Sequence, residues 1–320
     1  MMSRLSDDRS RAAIAASIEK RRVDTRGLLF RTLLQACLLV TLALLAVLII
    51  SVVTNSTDQL GTRLGDFLSG TLRSQSGDDR LGVHQGIYGS LWIAVIVAVL
   101  AFPVGIGAAV YLEEYAPRNR FTEFVEVNIR NLAGVPSVVY GLLGLALLVK
   151  GNLFGLDRLT GGSSTVSAGI TLAILALPIV VITAGEAVRA VPVELREGAY
   201  GVGATKWEMI RTQVLPYAAP GILTGTLLSM ARAVGEAAPL ILVGAISGRL
   251  GNDPGLFDLS ALTDQFTALP IVITTWTVQS GRDVGFTAAA ASAIVVLLVF
   301  VLLMNSAAIG LRNRFEKKRG

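Results

Sequence analysis

VPVELREGAYGVGATKWEMIRTQVLP, residues 191–216, is a polar stretch between two apolar segments of the chain. Pro192 suits the first position of a helix, because its missing N–H would have no intrahelical partner there. Glu194 and Glu197 follow in the early turns, where the helix macrodipole favours negative charge. The stretch therefore predicts a short helix that begins near Pro192.

A second short helix is expected after a glycine turn. Gly201 and Gly203 can adopt the positive φ values that end many helices. Thr205 and Glu208 have the spacing of a capping box, with Thr205 as the N-cap. Pro216 is expected to close this helix before the next apolar segment. The 191–216 loop is thus predicted to be a compact helix–turn–helix.

The segments around this loop are apolar enough to cross a membrane. Of the 320 residues, 52% are hydrophobic and only 16% are charged, whereas soluble chains carry about 25% charged residues. A membrane-spanning helix needs about 20 apolar residues. Six runs without Asp, Glu, Lys or Arg approach or exceed that length, which predicts an all-α polytopic membrane protein. The runs are 32–57, 85–112, 131–149, 159–185, 212–231 and 284–311.

The positive charges predict how these helices are oriented. Most of the 28 Lys and Arg residues lie in segments that six crossings place on one side, and cytoplasmic loops carry such an excess. Both termini are therefore expected in the cytoplasm. The positive segments are 1–31, 118–120, 189–211 and 312–319. The six helices are expected near 28–53, 87–112, 124–149, 166–188, 217–245 and 284–310.

The apolar runs and the positive charges together divide the chain into regions. The first apolar run is too long for a secretory signal, so it is expected to remain as a membrane helix. The stretch 54–86 is rich in Gly, Ser and Asp and is predicted to be a solvated loop. The uncharged stretch 265–281 is too short to span a bilayer, and we expect an external loop or a shallow interfacial segment there. The regions are a cytoplasmic tail 1–27, a first transmembrane helix 28–53, an extracytoplasmic loop 54–86, a transmembrane core 87–311 and a cytoplasmic tail 312–320.

Several classes of protein are excluded by the composition. Cys37 and His84 are the only cysteine and histidine, so the chain has neither an internal disulfide nor a Cys/His zinc site, and we expect no metal. No lysine follows a glycine, which excludes a phosphate-binding G-x-x-x-x-G-K-[ST] loop. The positive charges flank apolar runs, which a membrane orientation explains better than nucleic acid does. The sequence shows no nucleophile–base–orienter set, so we do not expect a membrane enzyme.

Two charged residues remain inside the fifth predicted helix. Arg232 lies 15 residues after Tyr217, which is about 22 Å along a helix. Glu236 follows four residues later, on the same face. Intramembrane ionisable residues are costly and mark functional sites by default. Arg232 is therefore a candidate anion-binding residue, and Glu236 a carboxylate that orients it and favours an anion that still carries a proton. The alternative is a purely structural ion pair.

The same helix carries small residues at every fourth position. Small side chains at this spacing allow the backbones of two membrane helices to approach closely. One flank of the helix is therefore predicted to pack while the adjoining flank presents Arg232. The small residues are Gly221, Gly225, Ser229, Ala233 and Ala237.

The 191–216 loop resembles the "EAA…G…I.LP" signature of the membrane subunits of ATP-binding-cassette (ABC) importers, although Gly198 replaces the usual first alanine. The resemblance implies a type I (MetI-like) permease fold with six transmembrane helices. It also implies that this loop docks on a separate cytoplasmic ATPase, which binds ATP and Mg, with no cofactor in this chain. The implied ATPase-coupling residues are Glu197, Ala199, Gly203, Ile210, Leu215 and Pro216.

The segment Arg232–Leu240 narrows the resemblance to permeases of phosphate-specific importers, of the PstA type, with Ala237 in place of the usual threonine. The segments 111–116, 132–142, 268–270 and 313–315 are similar to that subunit as well, so the resemblance covers most of 87–315. By resemblance, Arg232 is needed for phosphate passage. Arg189, at the inner end of the fourth helix near Glu186, is a weaker candidate for the pathway and a stronger one for anchoring the helix end.

The resemblance implies a membrane subunit that forms half of an ATP-driven inorganic phosphate importer in the inner membrane of a prokaryote. Its implied partners are a PstC-type permease subunit, an ATPase dimer, an extracytoplasmic phosphate-binding protein, phosphate and membrane lipid. Two alternatives remain open. One is an ABC permease for another oxyanion, such as molybdate or sulfate, and the other is an ion-coupled secondary carrier that needs no nucleotide.

Overall fold

A computed structural model describes residues 25–151, 160–248, 250–251 and 253–316, apart from the side chains of Asp58, Leu311, Arg314, Phe315 and Glu316. Most of the predicted N-terminal tail, Arg158, Arg249 and the last four residues lie outside this part. Within the described ranges the chain is helical, and its only extended pairing is an isolated bridge between Thr71 and Leu81. The all-α fold class is therefore confirmed.

Eleven α-helices are described, three of them extended by one π-helical turn. They are α1 Thr25–Ser69, α2 His84–Val110 with the π turn Tyr111–Tyr115, α3 Arg120–Ala133, α4 Ser137–Gly144 with the π turn Leu145–Val149, α5 Thr165–Arg189, α6 Val193–Gly201, α7 Lys206–Met209 with the π turn Ile210–Val214, α8 Leu215–Gly235, α9 Ala238–Val243, α10 Leu269–Gln279 and α11 Gly285–Glu316.

Five of the described helical segments are long and apolar enough to cross a membrane, and α3 with α4 forms a sixth if the bent pair counts as one span. The five segments are Thr25–Thr57, His84–Tyr115, Thr165–Arg189, Lys206–Gly235 and Gly285–Gly310. The chain divides into two compact units, Met1–Ser51 and Val52–Gly320. The described part of the first unit is the stretch 25–51 of α1, and the second unit holds the rest of α1 and the other described helices.

The predicted third span, 124–149, is not one helix. It consists of α3 and α4, whose axes meet at 97°. Gly134 and Pro136 occupy the break. Proline lacks the N–H that would continue α3, and it pushes the preceding residue out of the helical region. The sequence predicted that Gly134 and Pro136 lie inside one helix. In the structure, α3 ends before Gly134 and α4 begins after Pro136.

The stretch 54–86 is not the solvated loop that its composition predicts. The first helix, expected to end near residue 53, continues to a kink at Arg63 (φ −133°, ψ 30°), and a further helical stretch follows to Ser69. The following link folds back on itself, with Thr71 N–H donating to Arg80 O at 3.0 Å and Gly82 N–H to Thr71 O at 3.0 Å. A Cβ on Gly82 would lie 2.4 Å from the carbonyl oxygen of Phe67. The glycines of this stretch therefore permit close backbone contact.

Apolar side chains fix this link in place. Phe67, Leu81 and Val83 are each no more than 1% exposed. The ring centroids of Phe67 and Trp276 are 6.1 Å apart, and those of Trp276 and Phe286 are 6.2 Å apart. Large buried aromatic side chains dominate the energetics of a core. The link thus belongs to a second hydrophobic core, shared with α10 and α11.

The stretch 265–281 is not the external loop that was one of its two predicted forms. It contains α10, an 11-residue helix with Pro270 in its first turn. Leu269, Ile271 and Trp276 are at most 2% exposed. Proline is well tolerated at the start of a helix, so Pro270 begins α10 and does not prevent it. The helix is about 16 Å long and too short to span a bilayer, so the number of crossings is unchanged.

The main core lies where α2, α5 and α8 pack against one another. Glycines sit at several of these contacts. A Cβ on Gly105 of α2 would lie 2.6 Å from Val180 of α5, and one on Gly169 of α5 would lie 2.7 Å from Ile96 of α2. Small residues are what allows membrane helices to approach closely. This packing sets the position of α8, which carries the candidate anion-binding residue.

Candidate functional site

Arg232 lies in the last turn of α8. The predicted helix 217–245 is wrong at its C-terminal end, because α8 stops at Gly235 and a separate short helix, α9, begins at Ala238. Glu236 is the C-cap residue, with extended backbone angles of φ −81° and ψ 120°. Pro239 in the first turn of α9 cannot supply an N–H to a continued helix.

The break leaves Arg232 and Glu236 within ion-pair distance. Arg232 Nε lies 3.6 Å from Glu236 Oε1, too far for a hydrogen bond. The Arg232 side chain is 57% exposed and that of Glu236 is 23% exposed. Among the described residues, none accepts a hydrogen bond from the Arg232 guanidinium. A guanidinium held near a carboxylate but free to donate can offer its planar fork to an oxyanion.

The small residues of α8 face α5. A Cβ on Gly225 would lie 2.4 Å from Thr183 Oγ1, and one on Gly221 would lie 2.8 Å from Ala187 Cβ. Ser229 and Ala233 are at most 1% exposed. Ala237 lies beyond the end of α8 and does not continue the stripe along the helix. One flank of α8 is therefore buried against α5 while Arg232 is exposed on another.

Arg189 ends α5 and is not placed near Arg232 by any described contact. Its guanidinium contacts Glu113 through two bonds, with Nε donating to Oε2 at 3.2 Å. Its side chain is 56% exposed. Gly185 makes room for this carboxylate, since a Cβ there would lie 3.3 Å from Glu113 Oε1. Arg189 therefore fastens the end of α5 to the π turn that ends α2, and its partner is Glu113, not the nearby Glu186.

The 191–216 loop forms the two helices that the sequence predicts, α6 and α7. The backbone of Gly203 has φ +84°, and Thr205 and Glu208 form a capping box in both directions. Pro216, however, does not end the second helix, because α7 continues through a π turn into α8. In that turn the N–H of Leu215 bonds to the carbonyl of Ile210, five residues back. The wider turn accommodates a proline without breaking the helix.

The six coupling residues predicted for this loop differ in their burial. Ala199 and Ile210 are 9% and 0% exposed and pack inward, in a third core cluster of the bundle. Leu215 is half-buried, whereas Glu197, Gly203 and Pro216 are exposed. Inward packing is the physical reason why an alanine and an isoleucine suit their positions: they hold the loop against α5.

Three apolar or aromatic side chains of the loop that the sequence did not single out are exposed. Trp207 is 55% exposed, Val202 is 85% exposed and Tyr200 is 48% exposed. Exposed aromatic and aliphatic side chains in one place mark interaction surfaces. Their signal in the sequence was an apolar or aromatic residue type on either side of Gly201 and Gly203, in a stretch that is otherwise polar.

Arg196 and Glu114 form a second ion pair that sequence reasoning missed. Arg196 Nη2 lies 2.9 Å from Glu114 Oε1, and the Glu114 side chain is 7% exposed. The available signal was the adjacent pair Glu113 and Glu114, which directly follows the apolar run 85–112. Each of these two neighbouring carboxylates pairs with an arginine, Arg189 of α5 with Glu113 and Arg196 of α6 with Glu114.

Relatives with assigned names resemble this chain over part of their length. It is 39% identical over 196 residues to the phosphate transport system permease protein PstA of Mycobacterium leprae, covering 61% of this chain and 59% of that protein. It is 31% identical over 249 residues to the phosphate transport system permease protein PstC of Haemophilus influenzae, covering 71% and 78%. For several such relatives, the matched region covers about half to three fifths of the relative's own length.

A solved structure supports the fold. A chain in the crystal structure of a bacterial alginate ABC transporter, in complex with an alginate pentasaccharide-bound periplasmic protein, superposes with a TM-score of 0.62 at 15% identity. The superposition covers 90% of this chain and 95% of that one. Residues 101–318, more than half of the chain, match a single family model. This multi-pass membrane protein belongs to the binding-protein-dependent transport system inner membrane component family.

Proposed function

We propose that this chain is one of two membrane subunits of an ABC importer for inorganic phosphate, in the inner membrane of a prokaryote. The observation that carries the proposal is Arg232, an exposed guanidinium on a membrane helix with its carboxylate partner 3.6 Å away. Phosphate is an oxyanion that a guanidinium binds through paired hydrogen bonds. The names of the PstA and PstC relatives support phosphate as the substrate.

The other components complete the transporter. A second permease subunit of the PstC type supplies the other half of the path, and an extracytoplasmic protein delivers phosphate. Two cytoplasmic ATPase subunits bind ATP and Mg and dock on the 191–216 loop. The exposed Trp207, Val202 and Tyr200 support this docking surface. With the 191–216 loop on the cytoplasmic side, both termini lie in the cytoplasm as well.

Alternating access follows from this arrangement. Closure of the ATPase dimer moves the 191–216 loop, and the continuous helix from Lys206 to Gly235 carries the movement to Arg232. Arg232 then faces the outside and the inside in turn. Glu236 keeps the guanidinium oriented and repels an anion that has no proton to share.

Uptake by the assembled importer in proteoliposomes tests this proposal. We expect Arg232→Glu to abolish phosphate uptake while the complex still assembles, and Arg232→Lys to retain part of it, since lysine keeps the charge but loses the fork. Normal phosphate uptake by Arg232→Glu would contradict the pathway role. Competition by molybdate or sulfate stronger than that by phosphate would support the other-oxyanion alternative. Transport by the purified chain alone would support a secondary carrier.

A further inference from the structure

We propose that Arg196 and Glu114 form the joint through which the 191–216 loop moves the transmembrane helices; this inference rests on the proposed function. Arg196 lies on α6, the first helix of the loop, and Glu114 lies in the π turn that ends α2. Arg196 Nε and Nη2 donate to Glu114 Oε1 at 3.1 and 2.9 Å. The pair therefore joins the loop directly to a membrane-spanning helix.

The same guanidinium also binds the end of a second spanning helix. Arg196 Nη2 donates to Val188 O at 3.0 Å, and Nη1 donates to Val191 O at 2.6 Å. Val188 lies in the last turn of α5, and its carbonyl oxygen also accepts from the backbone N–H of Val191 at 3.2 Å. One side chain thus connects α6 to both α2 and α5 through four hydrogen bonds, which an arginine can make because its guanidinium has five N–H donors.

Burial makes this connection stiff. The Glu114 side chain is 7% exposed and that of Arg196 is 21% exposed, so water competes weakly for their hydrogen bonds. The pair of Arg189 and Glu113 lies beside it but has a different role. Arg189 is 56% exposed and belongs to α5, so it links two spanning helices without contacting the loop.

A second contact joins the same π turn to the other helix of the loop. The Lys206 ammonium lies 4.9 Å from the centre of the Tyr115 ring, within the range of a cation–π interaction. Lys206 is the first residue of α7. The π turn Tyr111–Tyr115 therefore holds α6 through Glu114 and α7 through Tyr115. Single π turns inside helices are frequent at functional sites.

If Arg196 and Glu114 form this joint, breaking their ion pair should reduce the coupling of transport to ATP hydrolysis. Assembly of the complex and ATP hydrolysis itself should be unaffected. We expect Arg196→Gln and Glu114→Gln each to lower the phosphate imported per ATP hydrolysed by about tenfold in the reconstituted importer, because bonds between charged groups contribute at least that factor. The double variant should be no worse than either single variant, since both remove one connection. Arg118→Gln, which removes an exposed charge between α2 and α3, is the matched control and should leave the ratio unchanged.

Restoring the connection chemically is the sharper test. In a Cys37→Ser background, Glu114→Cys with Arg196→Cys places two thiols where the ion pair was. We expect a low import ratio before treatment and recovery after a short bifunctional thiol reagent bridges them. An assembled Gln variant with a wild-type ratio, additive single defects, or a bridged protein that stays uncoupled would each overturn the joint. A wild-type importer that moves no phosphate would instead refute the proposed function.

Discussion

The hydroxyl of Tyr140 donates to the carbonyl oxygen of Leu132 at 2.8 Å, across the 97° bend between α3 and α4. Leu132 belongs to the last turn of α3, where a carbonyl has no partner within its own helix. Tyr140 lies one turn into α4 and is 7% exposed. The Tyr140 hydroxyl therefore braces the break that Gly134 and Pro136 create, at a carbonyl that also accepts from the backbone N–H of Val135 at 3.1 Å.

Removing this brace should weaken the bend. We expect Tyr140→Phe to lower the free energy of unfolding by about 1 kcal/mol, the usual net contribution of one hydrogen bond. Thermal unfolding of the detergent-solubilised protein measures it. Tyr111→Phe, at an exposed ring in the π turn of α2, is the control and should leave Tm unchanged. Equal Tm values for Tyr140→Phe and the unsubstituted protein would contradict the bracing role.

Two glycine substitutions should have opposite effects. At Gly225 a Cβ would lie 2.4 Å from Thr183 Oγ1, so Gly225→Ala should destabilise the protein by about 1–3 kcal/mol through overpacking. At Gly198, in the middle of α6, a Cβ meets nothing within 4 Å. Gly198→Ala should therefore stabilise the protein by about 1 kcal/mol through helix propensity. Thermal unfolding of the two variants side by side checks both signs, and a shift in the same direction would refute the packing argument.

Neutralising Glu236 should change which anion is accepted. Its carboxylate lies 3.6 Å from Arg232 and would repel an anion that has no proton. We expect Glu236→Gln to reduce the preference for phosphate over sulfate, measured by competition in proteoliposomes that contain the whole importer. Glu236→Asp keeps the charge and should keep the preference. An unchanged preference in Glu236→Gln would leave Glu236 a structural partner only.

The apolar surface of the 191–216 loop should carry the ATPase contact. We expect Trp207→Ala to weaken co-purification of the ATPase by tenfold or more, since buried tryptophans at interfaces contribute about 2 kcal/mol or more. Val284→Ala removes an apolar side chain that is 81% exposed on the link between α10 and α11 and serves as the control. Undiminished co-purification of the Trp207→Ala protein would move the contact elsewhere on the chain.

Acid should loosen the link that precedes α2. The pKa of Asp283 lies below its ordinary value, because the carboxylate accepts hydrogen bonds from the side chain and the backbone N–H of Ser76. A carboxylate with a lowered pKa in the folded state stabilises the fold above its ordinary pKa, about 3.9, and that contribution is lost as the pH falls through the folded-state pKa. Asp283→Asn should remove this acid dependence from a series of melting curves. A variant with the same acid dependence would contradict it.

Much of the fold could be predicted from local sequence. Uncharged runs located the spanning helices because burying a charge in hydrocarbon is costly, and the capping box of Thr205 and Glu208 appears as expected because it depends on residues three apart. The bend at Gly134–Pro136 and the π turn before Pro216 were missed. A proline can either end a helix or be accommodated within it. Which of the two occurs depends on whether neighbouring helices satisfy the freed backbone groups.

The site was predictable in its residues but not in its geometry. Arg232 and Glu236 stand out because no rule of membrane orientation explains charges at that depth. That Glu236 lies beyond a helix end could not be seen, since the spacing of four fits a continuous helix equally well. Arg196 and Glu114 are 82 residues apart in the chain, and only the fold brings them together.

The uninterrupted helix from Lys206 to Gly235 also has a mechanical meaning. Its 30 residues make a rod about 45 Å long. If the rod turns by about 10° around its Lys206 end, its Gly235 end travels about 8 Å, roughly the width of a hydrated anion. Lys206 sits at one end of this lever arm and Arg232 close to the other. A small rotation at the loop would thus produce a large displacement of the Arg232 guanidinium. Because the helix ends at Gly235, α9 need not move with it.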